Sequence, residues 1–299
     1  PFTLAAARDK RAKVVANQEE TAPECMSPKP IPPSIVFLGF GHSGSTTVAW
    51  VLENHPSLSF GREKEHRYLC YQRMHRTHMQ SMNGSVRDYG RKFRVHCGVT
   101  KTVDMSPFYF AMPLNRTHPW FGETGHVVCQ DALGPGHVTL QGFVMGLPKD
   151  LRFFMLFRNP VDFLESLYTR APHGKPVWTD EFFNTMITLG CYAEVLEAWR
   201  KALPTHEIKI FDSEHLFADP VSFFGELFDW IGVAPLPLEF FEKTYPTIHN
   251  GRRRHAGVTN LQLYTRFHSH PHMIDCKARL EKMTNRKFNW TGGLKLRCR

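Results

Sequence analysis

No apolar run in this 299-residue chain approaches the roughly 20 residues needed to cross a bilayer. The longest, Ile35–Phe40 and Phe153–Phe157, have the length of buried strands. No two cysteines stand at C-x-x-C spacing, so the commonest structural zinc signature is missing. No internal repeat is evident, which argues against a solenoid or propeller. Acidic residues are nearly absent from the last fifth, where residues 250–299 hold 12 Lys/Arg against 2 Asp/Glu. The overall charge is +9, so residues 1–249 sum to −1 and the basic excess is local. Such a patch suits an anionic ligand: nucleotide phosphates, or a sulfated or uronate-bearing glycan. Nucleic acid is set aside, because aromatic stacking partners are not interleaved with these charges.

What the chain does have is enough apolar residues for one sizeable core: 42% hydrophobic, 13% aromatic. Residues 1–33 are polar, then proline-rich (Pro28, Pro30, Pro32, Pro33), and read as a stem or linker before one domain at 34–299. The sequence starts at Pro1, and the expectation is a membrane protein whose N-terminal anchor has been removed. Three sequons, at Asn83, Asn115 and Asn289, favour the Golgi lumen or secretory pathway. Seven cysteines permit three disulfides, with Cys25 left over and Cys276–Cys298 the first pair to test.

Apolar Ile35–Leu38 reads as a strand buried on both faces, followed by a helix over Ser45–Glu53 that stops before His55-Pro56. Leu151–Phe157 is a second buried strand. Asn159-Pro160 supplies an N-cap and first-turn proline for a helix through Tyr168. Residues 181–203 read as one long helix, Glu207–Phe211 as a third strand and Pro220–Ile231 as a helix. This alternation predicts a three-layer α/β/α domain with a central parallel sheet.

The first strand runs into Gly39-Phe-Gly41-His42-Ser43-Gly44-Ser45-Thr46-Thr47. Glycines let backbone approach an anion, amides at a helix N-terminus point at it, and the hydroxyls add donors. Three readings fit. The spacing spells G-x-G-x-x-G, but the acidic partner expected about 20 residues on is only Glu63, in a charged run. A nucleoside-triphosphatase loop would need lysine where Ser45 stands. Third, Gly41–Thr47 resembles the 5′-phosphosulfate loop of sulfotransferases, with His42 in the place of that family's lysine.

A second motif decides between them. The strand at 151–157 ends in Arg158, with Ser166 eight residues later, which resembles the family's 3′-phosphate segment. An arginine at a strand's carboxyl end offers a fork of donors where sheet ligands bind, and Ser166 lies about two helical turns along. Further segments are similar in order: His55-Pro56, Lys64-Glu65-His66-Arg67-Tyr68, Asp104-Met105-Ser106-Pro107-Phe-Tyr109, Gly190-Cys-Tyr192, Glu214-His-Leu216 and the basic loop Arg252-Arg253-Arg254.

The resemblance, closest in feel to Golgi glycan sulfotransferases, spans residues 34–299 and implies a P-loop-like fold. It also implies sulfuryl transfer from 3′-phosphoadenosine-5′-phosphosulfate (PAPS) to a hydroxyl or amine, with a carbohydrate acceptor. Gly41, His42, Ser43, Gly44, Ser45, Thr46, Thr47, Arg158, Ser166, Arg252, Arg253 and Arg254 are then the cofactor-binding residues. Glu65 is the implied general base, with Glu63 as fallback and a surface pair with Lys64 or Arg62 as the competing reading. His42 carries the loop's positive charge when protonated; otherwise Lys64 or Lys101 does so. A metal is not expected: His268, His270 and His272 read as a flexible surface loop. The alternatives are a nucleotide kinase-like transferase and a non-catalytic nucleotide- or polyanion-binding protein on the same fold.

Overall fold

All five residues of β1 (Ile35–Gly39) are buried, the pattern of a strand covered on both faces. The computed structural model describes residues 32–61, 64–66, 70–72, 89–93, 98–107, 109–110, 127–129, 147–168, 180–245 and 261–290. Within these, β1 is the middle of a five-stranded sheet with β2 (Leu58–Ser59), β4 (Lys101–Asp104), β6 (Arg152–Phe157) and β7 (Ile208–Asp212). The order is β2-β4-β1-β6-β7, and every pairing is parallel. Short strands β3 (Cys70–Gln72) and β5 (Val127–Cys129) form a separate antiparallel pair, with Cys70 opposite Cys129.

The period-2 alternation of strands makes the layers. Val36 and Leu38 of β1, with Phe153, Met155 and Phe157 of β6, face one core, where they meet Tyr192, Leu196 and Trp199 of α4 (Tyr192–Ala202). Ile35 and Phe37, with Phe154 and Leu156, face the other. There they meet Val48 and Leu52 of α1 (Ser45–Glu53) and Phe224, Leu227 and Phe228 of α6 (Pro220–Ile231). The three-layer α/β/α expectation holds, and α1, α6 and the strand at β6 fall where sequence placed them. Asn159 caps α2 (Pro160–Tyr168) as its type suggests, its Oδ1 accepting from Val161 N–H at 3.0 Å. Helix α5 (Ser213–Ala218) follows β7 directly, and α7 (Leu238–Lys243) follows α6.

Three expectations are corrected. Residues 181–203 form two helices, α3 (Asp180–Gly190) and α4, broken at Cys191. Gly190 packs so tightly that a Cβ there would lie 2.6 Å from Phe267 and 3.1 Å from Pro160, and Cys191 leaves helical geometry at φ −78°, ψ 77°. Cys276 is bonded to Cys191 rather than to Cys298, which fixes α4 to α9 (Pro271–Thr284). The histidine cluster is not a loose surface loop: α8 (Leu261–His268) and α9 are joined by Ser269 and His270 alone. His268 is largely buried, and that burial pushes its imidazole down to about 4.

Candidate active site

The chain leaves β1 at the sheet's centre, then builds β2 and β4 on one side and β6 and β7 on the other. The crevice at the carboxyl end of β1 is therefore a topological switch point, where open α/β sheets bind ligands. The 40–47 loop and Arg158 both end there.

Gly44 adopts φ 95°, and an added Cβ would lie 2.7 Å from Leu216 Cδ2. Both conformation and packing therefore demand glycine at the turn into α1. The first turn closes when Thr47 and Val48 N–H donate to Gly44 O, at 2.8 and 3.0 Å. Amides preceding these lie at the helix N-terminus, with its partial positive charge. His42 carries φ 60°, and Ser213 Oγ, fully buried at the start of α5, donates to Ser43 O at 2.5 Å. An aromatic floor supports the loop: Phe40 lies 4.5 Å from Tyr192 and 4.3 Å from Phe110, and Tyr192 stacks on Phe157 at 4.7 Å.

Arg158 Nη1 donates to His42 O at 2.8 Å, and its guanidinium sits 5.7 Å over the Phe217 ring. His42 Nδ1 lies 3.3 Å from Ser166 Oγ. The structure thus brings His42, Ser43, Gly44, Arg158 and Ser166 together. Burial pushes the Tyr192 phenol well above its ordinary range, while the Arg158 charge pulls the other way.

Two buried polar atoms of this cluster, Ser43 Oγ and Arg158 Nε, have no hydrogen-bond partner among the described residues. Leaving such groups unsatisfied costs roughly 1–3 kcal/mol each, so donors of this kind on adjoining segments beside a helix N-terminus suit an anionic ligand. The phosphate groups of PAPS fit that requirement.

On the other side of β1, Lys64 and Glu65 form an ion pair at 3.2 Å, both part-buried. Met105 N–H donates to Lys64 O at 3.1 Å, which ties this segment to the carboxyl end of β4. Asp104 there is fully buried and accepts from Ser106 Oγ at 2.6 Å, from Tyr109 OH at 2.8 Å and from Tyr89 OH. Burial first, then the Asp104 charge, drives the Tyr89 phenol well above its usual value. His55 and His66 serve the framework: their Nε2 atoms bond Ala234 O and Phe60 O, each at 2.7 Å.

Lys101 is corrected as a loop cation. It opens β4, three residues and about 10 Å of strand from the carboxyl end where the site lies. Arg252, Arg253, Arg254 and Glu63 lie outside the described residues. Sequence reasoning missed Ser213 and Asp104's three donors. Ser213 had one signal, the Asp212-Ser-Glu214 cap at the third strand's end, where Asp212 Oδ1 accepts from Glu214 N–H at 2.9 Å.

A parallel α/β sheet with a phosphate-type loop at its switch point, and an arginine from the neighbouring strand end, defines a P-loop-like α/β architecture. The sulfotransferase family model matches residues 33–237, and the chain belongs to the sulfotransferase family. Among solved structures, one similar in fold is a sulfotransferase from Alicyclobacillus acidocaldarius. It matches at TM-score 0.58 and 17% identity, over 87% of this chain and 98% of that one. No curated protein sequence matches the chain.

Proposed function

We propose that this sulfotransferase takes its sulfuryl group from PAPS and delivers it to a hydroxyl or amine of a carbohydrate in the Golgi lumen. The observation that carries the donor assignment is a pair of buried atoms at the loop that starts α1, Ser43 Oγ and Arg158 Nε, neither of which has a hydrogen-bond partner among the described residues. Gly41 to Thr47 would cradle the 5′-phosphosulfate, and Arg158 with Ser166 would hold the 3′-phosphate. Arg252, Arg253 and Arg254 would supply further basic contacts.

When bound, PAPS supplies a sulfuryl group on a 5′-phosphate that leaves as the 3′,5′-bisphosphate. The chain's own work is positioning and charge stabilisation. Glu65 takes the proton from the acceptor hydroxyl or amine as the new bond to sulfur forms. Lys64, 3.2 Å from that carboxylate, keeps a positive charge beside it. His42, when protonated, offsets the charge that gathers on the leaving phosphate oxygen.

The carbohydrate acceptor rests on the Lys64-Glu65 segment and the C-terminal basic excess. The luminal location rests on the sequons, of which the Asn289 side chain is exposed. A non-catalytic nucleotide-binding protein is the second reading, favoured by His42 in the lysine position. One experiment separates the two: the protein is incubated with PAPS carrying radioactive sulfur and a panel of glycans and small alcohols. Label appearing in a glycan supports the proposal. Tight binding of the 3′,5′-bisphosphate without transfer supports the binding protein, and absence of nucleotide binding contradicts both.

A further inference from the structure

Four metal-type donors meet on the face of the molecule built by α4 and α9. Cys191 and Glu194 are three residues apart at the start of α4, and His272 and Cys276 are four apart on one face of α9. Their donor atoms all lie within 4.8 Å of one another. The two sulfurs are joined as a disulfide, and His272 and Glu194 pair beside it at 3.5 Å, so two helices bring two sulfurs, an imidazole and a carboxylate to one point.

We propose that this cluster has a second, reduced state in which Cys191, Glu194, His272 and Cys276 bind one zinc-class divalent cation tetrahedrally. Zinc bonds of about 2.3 Å to sulfur, 2.0–2.1 Å to nitrogen and 2.0–2.2 Å to oxygen give tetrahedral edges of about 3.5 Å (S···N) and 3.4 Å (N···O). His272 Nε2 lies 3.5 Å from Cys276 Sγ and 3.5 Å from Glu194 Oε1. Two edges of the tetrahedron are thus already in place around the disulfide. The sulfurs must separate to about 3.8 Å, and the other three edges, now within 4.8 Å, close onto the ion.

The conversion balances with a dithiol as reductant. Exchange breaks the Cys191–Cys276 bond, forms two thiols and leaves the dithiol as a disulfide; metal binding then displaces the two thiol protons. Either state fastens α4 to α9. Cys191 immediately precedes Tyr192, whose ring stacks on Phe157 beneath the phosphate loop, so both states hold that floor.

The test reduces the full chain with a dithiol, removes it anaerobically and titrates with Co²⁺, a spectroscopic stand-in for zinc. The expected result is one Co²⁺ per chain with a thiolate-to-cobalt charge-transfer band and tetrahedral visible bands, all absent from the oxidised protein. His272→Ala and Glu194→Gln, checked in the oxidised state for wild-type circular dichroism, should each weaken binding at least tenfold. The proposal is overturned if the reduced, folded protein gives no band. It is equally overturned if His272→Ala binds like wild type, or if reduction abolishes the helical signal and Co²⁺ does not restore it. These outcomes are independent of whether the protein transfers sulfuryl groups.

Discussion

The two sides of β1 are built differently. On the donor side, β1, α1, β6, α2 and α5 converge on the loop: Gly44 against Leu216, Ser213 on Ser43 O, Arg158 on His42 O. Five secondary-structure elements thus hold one anion cradle. On the acceptor side, Lys64 and Glu65 come from a connecting segment tied to the sheet through Met105 and the buried Asp104. On the proposed function, nucleotide binding belongs to the sheet's switch point, whereas acceptor chemistry belongs to a segment that can vary without disturbing it.

The largest expected effect tests that separation. Glu65→Gln should lower kcat by about 10²- to 10⁴-fold, the usual worth of a general base, while leaving affinity for the 3′,5′-bisphosphate unchanged. Parallel loss of nucleotide affinity, read by calorimetry, would break the comparison. Gly44→Ala should act on the opposite side, destabilising the fold by about 1–3 kcal/mol through backbone strain. Denaturant melts read this change, and nucleotide affinity should fall with it.

His42→Lys is a smaller, sharper test. If His42 carries the loop's positive charge, wild-type turnover declines as rising pH removes the imidazole's proton, and the lysine variant should be about tenfold faster near pH 8. Identical pH profiles would move the charge elsewhere, with Lys64 the remaining candidate.

A purely structural effect lies behind the loop, where the His268 ring lies 4.3 Å from that of Tyr264. His268 is held near 4, below its unfolded value of about 6.5, so the unfolded chain binds more protons between those limits. Stability should therefore fall by about 1–3 kcal/mol as pH drops through that window. His268→Gln should flatten the fall in thermal melts, whereas an unchanged slope would place its origin in other groups.

The geometry of the loop and of the elements around it was legible because its signals are local. An apolar run, glycine at a strained turn, an N-cap asparagine and an arginine at a strand end each act within a few residues. The break at Cys191 was not legible. Periodicity continues through 181–203, and only Phe267 packed on Gly190 and the bond to Cys276 interrupt it. The pairing of charges near the C-terminus was not legible either. Arg266, Lys277, Arg279 and Lys287 form ion pairs with Asp180, Glu197, Asp275 and Glu281, so part of the basic excess is spent within the fold. His272 read as a loop residue because its neighbours, Cys191 and Glu194, lie about 80 residues upstream.

The most direct measurement compares calorimetric affinities of the 3′,5′-bisphosphate and the 5′-monophosphate of adenosine, in wild type and in Arg158→Ala. Wild type should prefer the bisphosphate by about 10- to 100-fold, the worth of a charge-assisted contact of about 1.5–3 kcal/mol, and the preference should collapse in the variant. Equal affinities in wild type, or a preference that survives loss of Arg158, would contradict the assignment of Arg158 to the 3′-phosphate.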